Sequence, residues 1–165
     1  MIQPYVETVA AWATGPERQD EILRARNEFR LHTGDFHEDD RSFEARMAAF
    51  LEYFLFDRPL ENEGVPPVQA WLEAHRAAIS DAERPHYEAL TRSVHGVFEI
   101  RKVGTRHGLR LRELIRDRDY EIYERRELVG LAKGDILDAR IVPWDEDCWV
   151  FTGAVLYHPA EAARP

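Results

Sequence analysis

The sequence predicts an α+β protein in which an N-terminal helical layer of four or five helices is followed by a small five-stranded, barrel-like sheet of the SH3-like or OB-like kind. Two observations carry this prediction. Apolar residues recur at intervals of three and four up to about Ser93, and they alternate with polar residues after it. Turn-forming residues then separate the alternating segments. We therefore expect a helical subdomain over 1–93 and a barrel-like subdomain over 94–165.

Four segments of the first half are predicted to be helices. In the first three of them apolar side chains recur at three and four residues. A Ser or Thr followed three residues later by Glu marks the start of the first and of the last segment. Gly34 and the stretch DRPLENEGVPP supply the stops of the first two. The predicted helices are 16–32, 41–56, 68–75 and a loosely bounded one within 81–92.

Five segments of the second half alternate between apolar and polar residues, as half-buried strands do. In the second segment, LRLRELI, Glu113 shares the face of Leu109 and Leu111. We expect its carboxylate at a barrel end in contact with solvent, and the alternative is a partly buried carboxylate with a raised pKa. The last segment, CWVFTGAVLY, is apolar on both faces and is expected to be covered on both. The predicted strands are 96–103, 109–115, 120–126, 135–142 and 148–157.

Composition places the chain among folded cytoplasmic proteins. The net charge of −9 argues against a general affinity for nucleic acid or anionic membranes. Cys148 is the only cysteine, which excludes an intrachain disulfide and a multi-cysteine zinc site. The N-terminus has no basic leader, and no apolar run approaches the ~20 residues that span a bilayer. We expect a cytoplasmic protein with no membrane partner and no bound cofactor.

Residues 43–157 resemble a known group of proteins. FLEYFLFDRPL followed by GVPPVQAWL is similar to an N-terminal pattern of uncharacterised bacterial cytoplasmic proteins, and GVFEIRKVGTRHGLRLRELI and GDILDARIVPW are similar to the small β module that follows it. Some members of that group carry a C-terminal SEC-C zinc knuckle built from several cysteines and a histidine. This chain ends at LYHPAEAARP without those cysteines. The resemblance therefore implies a fold but no activity.

The segment LHTGDFHEDD, residues 31–40, contains enough histidines and carboxylates for a metal site. Its spacing matches neither the HExxH helix nor the EF-hand loop. We predict a helix-entrance loop, with His32 at the core boundary of the preceding helix and the carboxylates of Asp39 and Asp40 at the start of the next one. A metal-dependent hydrolase or nuclease stays an alternative, and its predicted ligands are His32, Asp35, His37 and Asp39.

The basic stretch RKVGTRHGLRLR, residues 101–112, is the main candidate for partner binding. Its arginines are expected on the outer face of neighbouring strands, where small barrels contact proteins or nucleic-acid phosphates. Cross-strand pairs with the following acidic residues on a solvated face explain the same pattern. An Asp-Arg pair in the loop 57–67 offers a second surface. The predicted partner-binding residues are Arg101, Arg106, Arg110, Arg112, Asp57 and Arg58.

No motif of a nucleophilic enzyme is present in the sequence. Cys148 stands beside three carboxylates, which disfavour a thiolate, and there is no GxSxG turn or Gly-rich phosphate loop. The sequence therefore favours a non-catalytic cytoplasmic binding or adaptor protein with a protein partner. The alternatives are the metal-dependent hydrolase or nuclease at 32–40 and a nucleic-acid or ribosome-associated module at 101–112.

Overall fold

The computed structural model describes residues 2–40, 42–104, 108–123, 130–145 and 147–158. By its contacts the chain separates into two compact units, Met1–Thr91 and Arg92–Pro165. The first unit contains the helices and the second contains the strands. The predicted α+β class, helices first and a small barrel second, is confirmed.

The helical unit consists of five α-helices with two short irregular helical turns. The first helix of the unit is one whose bounds the sequence spacing did not predict. Proline stands in the first turn of three of the five helices, where a backbone N–H would have no partner within the helix. The predicted capping box at Ser80 forms only in part: the Glu83 N–H donates to the Ser80 Oγ, but α5 begins at Arg84 and the Glu83 carboxylate accepts from the Ser80 hydroxyl instead of the Ser80 backbone N–H. The one at Thr14 does not form, since its hydroxyl donates to the Ala10 carbonyl instead. The helices are α1 (Gln3–Ala13), α2 (Gln19–Thr33), α3 (Phe43–Glu52), α4 (Pro67–His75) and α5 (Arg84–Leu90), with a 3-10 turn at Pro16–Arg18.

A π-helical turn, Tyr53–Asp57, continues α3 directly. The Arg58 N–H closes it by donating to the Tyr53 carbonyl at 3.0 Å. Single π turns are uncommon within helices and hold one residue more than an α turn. As a result, three consecutive side chains of this turn are buried, which agrees with the broad apolar stripe of the sequence: Phe54, Leu55 and Phe56.

The second unit is a closed five-stranded barrel with the order β1-β2-β3-β5-β4. All neighbouring strands are antiparallel except β3 and β5, which pair in parallel at Ile122 and Trp149. This order and the single parallel pairing correspond to the OB-like alternative rather than the SH3-like one. The strands are β1 (Val94–Val103), β2 (Gly108–Glu113), β3 (Arg118–Tyr123), β4 (Ile136–Asp145) and β5 (Cys148–His158).

The barrel interior is filled by the alternating residues that the sequence predicted. The first three strands contribute Phe98, Leu111 and Tyr120, among others, and β4 and β5 contribute Leu137 and Phe151. β1 pairs with two neighbouring strands, β4 along its first half and β2 along its second half. The chain that leads out of β2 and the chain that leads out of β4 therefore leave the barrel at the same end.

The described helices include none with the length and apolar composition that a membrane span requires.

Candidate partner-binding site

Residues 114–117 form the turn between β2 and β3. The sequence predicted a strand over 109–115, but β2 ends at Glu113. The last two residues of that segment, Leu114 and Ile115, therefore belong to the turn. Asp117 closes it with a φ of 57°, a left-handed backbone that Asp adopts more readily than most residues. The strands then pair in register from Glu113 and Arg118 onward.

Glu113 fixes the backbone of this turn from inside the barrel. Its side chain is fully buried, so the expectation of a solvent-facing carboxylate is wrong. The Ile115 N–H donates to its Oε1 at 3.2 Å, and the Arg116 N–H donates to its Oε2. A carboxylate that accepts backbone N–H bonds meets its need for hydrogen bonds without solvent, which is the physical reason it can be buried.

Gly96 on β1 makes room for this carboxylate. A Cβ at position 96 would lie 2.9 Å from the Glu113 Cγ, closer than any normal contact. On the same strand the Val97 carbonyl accepts a 2.9 Å hydrogen bond from the Leu114 N–H. The turn is therefore held both by the Glu113 side chain and by the backbone of β1.

Two aliphatic side chains project from this fixed turn into solvent. Ile115 is 78% exposed and Leu114 is 44% exposed. Single exposed apolar residues are common on protein surfaces, but two adjacent ones on an immobilised turn form a contiguous patch. We call Leu114 and Ile115 the apolar tip. Sequence reasoning assigned both residues to a strand, and the signal that marks them is the break in alternation just before Arg-Asp-Arg-Asp.

The predicted basic residues of β2 are engaged in ion pairs on the outer face of the hairpin. The Arg110 Nε donates to the Glu121 Oε1 at 2.6 Å, directly across the strand pair. The Arg112 Nε donates to the Asp117 Oδ1 at 2.7 Å, and its NH1 lies 3.2 Å from the Asp119 Oδ1. These hydrogen bonds raise the pKa of both guanidinium groups.

The remaining predicted residues of the basic stretch divide between a paired residue and an undescribed one. On β1, Arg101 pairs with Glu99 at 2.7 Å. Arg106 lies outside the described residues. Exposed pairs of this kind contribute about 0–1 kcal/mol each. A binding protein that contacts these guanidinium groups has to displace the carboxylates that pair with them.

Arg58, the predicted second-surface residue, lies inside the helical unit. It is 6% exposed, its Nε donates to the Glu28 Oε2 at 2.7 Å, and its NH1 donates to the Glu21 Oε2 at 2.6 Å. Asp57 is exposed at the end of the π turn. The Arg58 guanidinium therefore ties α2 to the end of the π turn and is not presented to a partner.

The charges of this partly buried cluster stabilise one another. Hydrogen bonds from Arg58 hold the pKa of Glu28 below its usual value. Burial works to raise the pKa of Glu21, but hydrogen bonds from Arg58 and from the Glu61 N–H outweigh it, so the pKa is lowered. Burial and the neighbouring Glu28 raise the pKa of Tyr53, whose hydroxyl donates to that carboxylate. The lowered pKa values favour ionised Glu21 and Glu28, and the raised pKa of Tyr53 keeps its phenol protonated as the donor to Glu28.

In the 32–40 loop the predicted metal ligands have other partners. The Asp35 Oδ1 accepts a 2.6 Å hydrogen bond from the Arg30 Nε, and the His32 Nδ1 lies 2.7 Å from the Glu28 carbonyl. His32 is exposed, so the expected core-boundary position is wrong. Within the described part of the chain, no three His, Cys, Asp or Glu side chains converge in a way that could hold a metal ion, the predicted His37 and Asp39 included.

The loop is closed by its own side chains rather than by caps on α3. The Asp40 Oδ2 accepts the His37 N–H at 2.8 Å, whereas the residue before α3, Ser42, makes no side-chain cap. From α3, Arg46 donates to the Thr33 carbonyl at 2.6 Å and lies over the Phe36 ring. The Asp40 carboxylate therefore closes the loop and does not cap α3 as expected, and Arg46 on α3 caps the end of α2.

A second exposed apolar feature lies on α2. Leu31 is 85% exposed and stands on the same helix face as Leu23, eight residues earlier. Beside it is a shallow depression of about 500 Å³, lined by Asn27, Arg30 and Asp35 among others. Arg30 and Asp35 pair with each other there, and no further titratable group marks the depression as a site.

A family model described as a family of unknown function (DUF7986) matches residues 19–164. The match begins at α2 and includes every described strand. It is consistent with the resemblance to an uncharacterised family. No curated protein and no solved structure matches the chain.

Proposed function

The chain belongs to a family of unknown function (DUF7986), and we propose from its side-chain geometry that it is a non-catalytic binding protein, an adaptor that acts through protein–protein contacts. The proposed contact surface is the apolar tip, Leu114 and Ile115, at the end of the β2–β3 hairpin. The proposal places the protein in the cytoplasm, where a lone cysteine stays reduced.

The observation that carries this proposal is the exposure of the apolar tip on a turn whose backbone is fixed. Burying an aliphatic side chain that is mostly exposed stabilises a complex by roughly 1.5–3 kcal/mol. A turn already held by Glu113 and by the Val97 carbonyl loses little further freedom on binding, so most of that gain is retained. In many protein interfaces a few residues near the centre contribute most of the binding free energy.

The ion pairs of the hairpin supply the polar surroundings that such an anchor needs. Arg112 and its partners Asp117 and Asp119 lie next to the tip, and Arg110 with Glu121 continues the same face. Polar rims around an apolar centre exclude water and orient the partner. In this proposal the predicted arginines Arg110 and Arg112 belong to the rim, whereas buried Arg58 is not part of the surface.

A capture experiment with matched variants tests the proposal. The tagged full chain, its Ile115→Ser variant and its Leu31→Ser variant are used to capture proteins from lysate of the source organism, with quantitative mass spectrometry. Leu31 is a fair control because it is at least as exposed but lies on α2 in the other unit. We expect Ile115→Ser alone to lose the specific partners. Equal capture by all three chains would contradict the proposal.

The nucleic-acid alternative is separated in the same experiment by nuclease treatment. The arginines it would use on β1 and β2 are engaged by carboxylates of the same sheet, which would have to be displaced by phosphates. We expect the captured partners to survive nuclease. Partners that disappear with nuclease, together with salt-dependent binding to RNA or DNA, would favour the alternative.

The metal-dependent alternative at 32–40 is tested on untagged protein. Stoichiometric zinc or manganese in the purified chain, or a rise in its melting temperature on addition of Zn²⁺, Mn²⁺ or Mg²⁺, would favour it. We expect neither, because the Asp35 carboxylate is engaged by Arg30.

A further inference from the structure

We infer that the outer face of α2 binds a second copy of this chain, with the two α2 helices antiparallel about a twofold axis at Leu23. This inference concerns the helical unit and does not depend on the apolar tip. α2 turns Ala25 into its unit, where that residue is fully buried, and turns Leu23 to solvent, where it is 57% exposed. Residues two positions apart lie on nearly opposite sides of a helix, so Leu23 belongs to a face that its own unit does not cover.

Two charged residues lie close to Leu23, at equal distances along the helix. Asp20 precedes it by three positions and Arg26 follows it by three, and both are exposed. Residues three positions apart are neighbours on a helix surface. Over the ranges that the structure describes, neither Asp20 nor Arg26 has an ion-pair partner. The face therefore carries one uncompensated charge of each sign, placed symmetrically about a leucine.

The other two exposed arginines on the outside of α2 are compensated within the chain. Arg24 pairs with Glu61, and Arg30 pairs with Asp35. These four charges sum to zero, as do the two uncompensated ones, so the face is neutral although the chain as a whole carries a charge of −9. A net charge of that size opposes association of two copies at long range, so a contact between them requires a face without excess charge, as this one is.

A twofold axis converts this arrangement into charge complementarity. In an interface between identical copies, a residue that contacts a second residue of the other copy is contacted by it in return. With the axis at Leu23, the two leucines meet, and Asp20 of each copy lies level with Arg26 of the other. Asn27 lies one residue further along and can donate its side-chain N–H to the same carboxylate. An acidic or a basic partner would satisfy one of the two charges, whereas a second copy satisfies both.

Leu31 is not part of this contact. It is 85% exposed, but it lies eight positions, about 12 Å, from Leu23 along the helix. In the antiparallel pair Asn27 is opposite Gln19, the first residue of α2 in the other copy. Leu31 therefore extends beyond the helix that it would have to contact, and it serves as a control on the same helix.

Sedimentation equilibrium of the full chain at increasing concentration tests whether the dimer forms. The contact is small, so we expect reversible association that becomes measurable between about 10 µM and 1 mM. Leu23→Ser is expected to weaken it by about tenfold or more, and Leu31→Ser is expected to leave it unchanged. A chain that stays monomeric throughout this range would overturn the inference. Equal losses with both leucine variants would overturn pairing about Leu23.

Charge exchange is the sharper test, because it predicts a rescue. Asp20→Arg brings cations level with cations across the axis, and Arg26→Asp brings anions level with anions, so each variant alone is expected to associate about tenfold more weakly. In an equimolar mixture one chain has only cations at these two positions and the other has only anions, so we expect association to return as a heterodimer. A damaged fold would not give that rescue. A mixture that stays monomeric would therefore overturn the inference.

A matched pair of positions on α4 controls for total charge. Glu73 and Arg76 are exposed and also lie three positions apart. Glu73→Arg and Arg76→Asp change the charge of the chain by the same amounts as the two α2 variants, and we expect both to associate like the unmodified chain. A tenfold loss in either would overturn the inference, because the repulsion would then come from total charge and not from the α2 face.

Discussion

The contact between Gly96 and Glu113 predicts a double-mutant cycle in which one substitution rescues the other. Gly96→Ala introduces a Cβ 2.9 Å from the Glu113 Cγ, and overpacking of this kind costs about 1–3 kcal/mol. Glu113→Ala removes the acceptor of the Ile115 and Arg116 N–H groups, at about 1.5–3 kcal/mol per charged hydrogen bond before rehydration of the turn. We expect about 2–4 kcal/mol for the latter.

In the Glu113→Ala background, Gly96→Ala is expected to become neutral or slightly stabilising. The three nearest atoms to the new Cβ all belong to Glu113, so their removal leaves ordinary space, and alanine restricts the unfolded chain by about 0.4–1 kcal/mol. The coupling energy should therefore reach about 1.5–3 kcal/mol.

Urea denaturation of the four chains measures this coupling, and amide hydrogen exchange at Ile115 and Arg116 reports the turn directly. We expect exchange at both amides to accelerate in Glu113→Ala. Additivity of the two single substitutions within about 0.5 kcal/mol would refute the packing argument. Unchanged exchange at both amides would refute the proposed role of the carboxylate in fixing the turn.

Three further predictions concern other charged contacts. Arg58→Met should cost about 3–5 kcal/mol in urea denaturation because it leaves Glu21 poorly compensated, and a loss below about 1 kcal/mol would contradict the buried pair. Arg46→Ala should cost about 1–2 kcal/mol by uncapping α2, whereas an unchanged midpoint would show that water replaces it. The hydrogen bond from His95 holds the pKa of Asp138 below its ordinary 3.8, so the pair stabilises the barrel above that pH, and the stabilisation is lost as the pH falls through the lower folded value. His95→Gln should therefore raise the pKa of Asp138, measured by NMR titration, and move acid unfolding to higher pH; an identical titration would contradict the pairing.

Alternation along the chain was sufficient to predict the interior of the barrel. Leu109 and Leu111 fill it because strand residues two apart share a face, and that relation is local. Glu113 follows the same rule and is buried, although the sequence favoured a solvent-facing carboxylate over a partly buried one. The reason is that its hydrogen-bond partners are turn amides and that its space is provided by Gly96 on another strand.

Contacts distant in sequence set the limit of prediction in the helical unit. Arg58 was recognised as notable beside Asp57, but its carboxylate partners lie thirty and thirty-seven positions earlier on α2. No local spacing indicates that pairing, because it depends on how α2 meets the π turn. The Arg110–Glu121 pair, in contrast, follows from hairpin register alone and agrees with the cross-strand pairing that the sequence indicated.

The π turn at Tyr53–Asp57 has a consequence for insertions and deletions among relatives. Because a π turn holds one residue more than an α turn in about the same rotation, deleting one residue of it would convert the Arg58–Tyr53 hydrogen bond to α-helical spacing and leave Arg58 facing α2. Glu21 and Glu28 would then keep their cation. Homologues with a one-residue gap here are therefore expected to retain the arginine and both glutamates and to bury one side chain fewer in this turn.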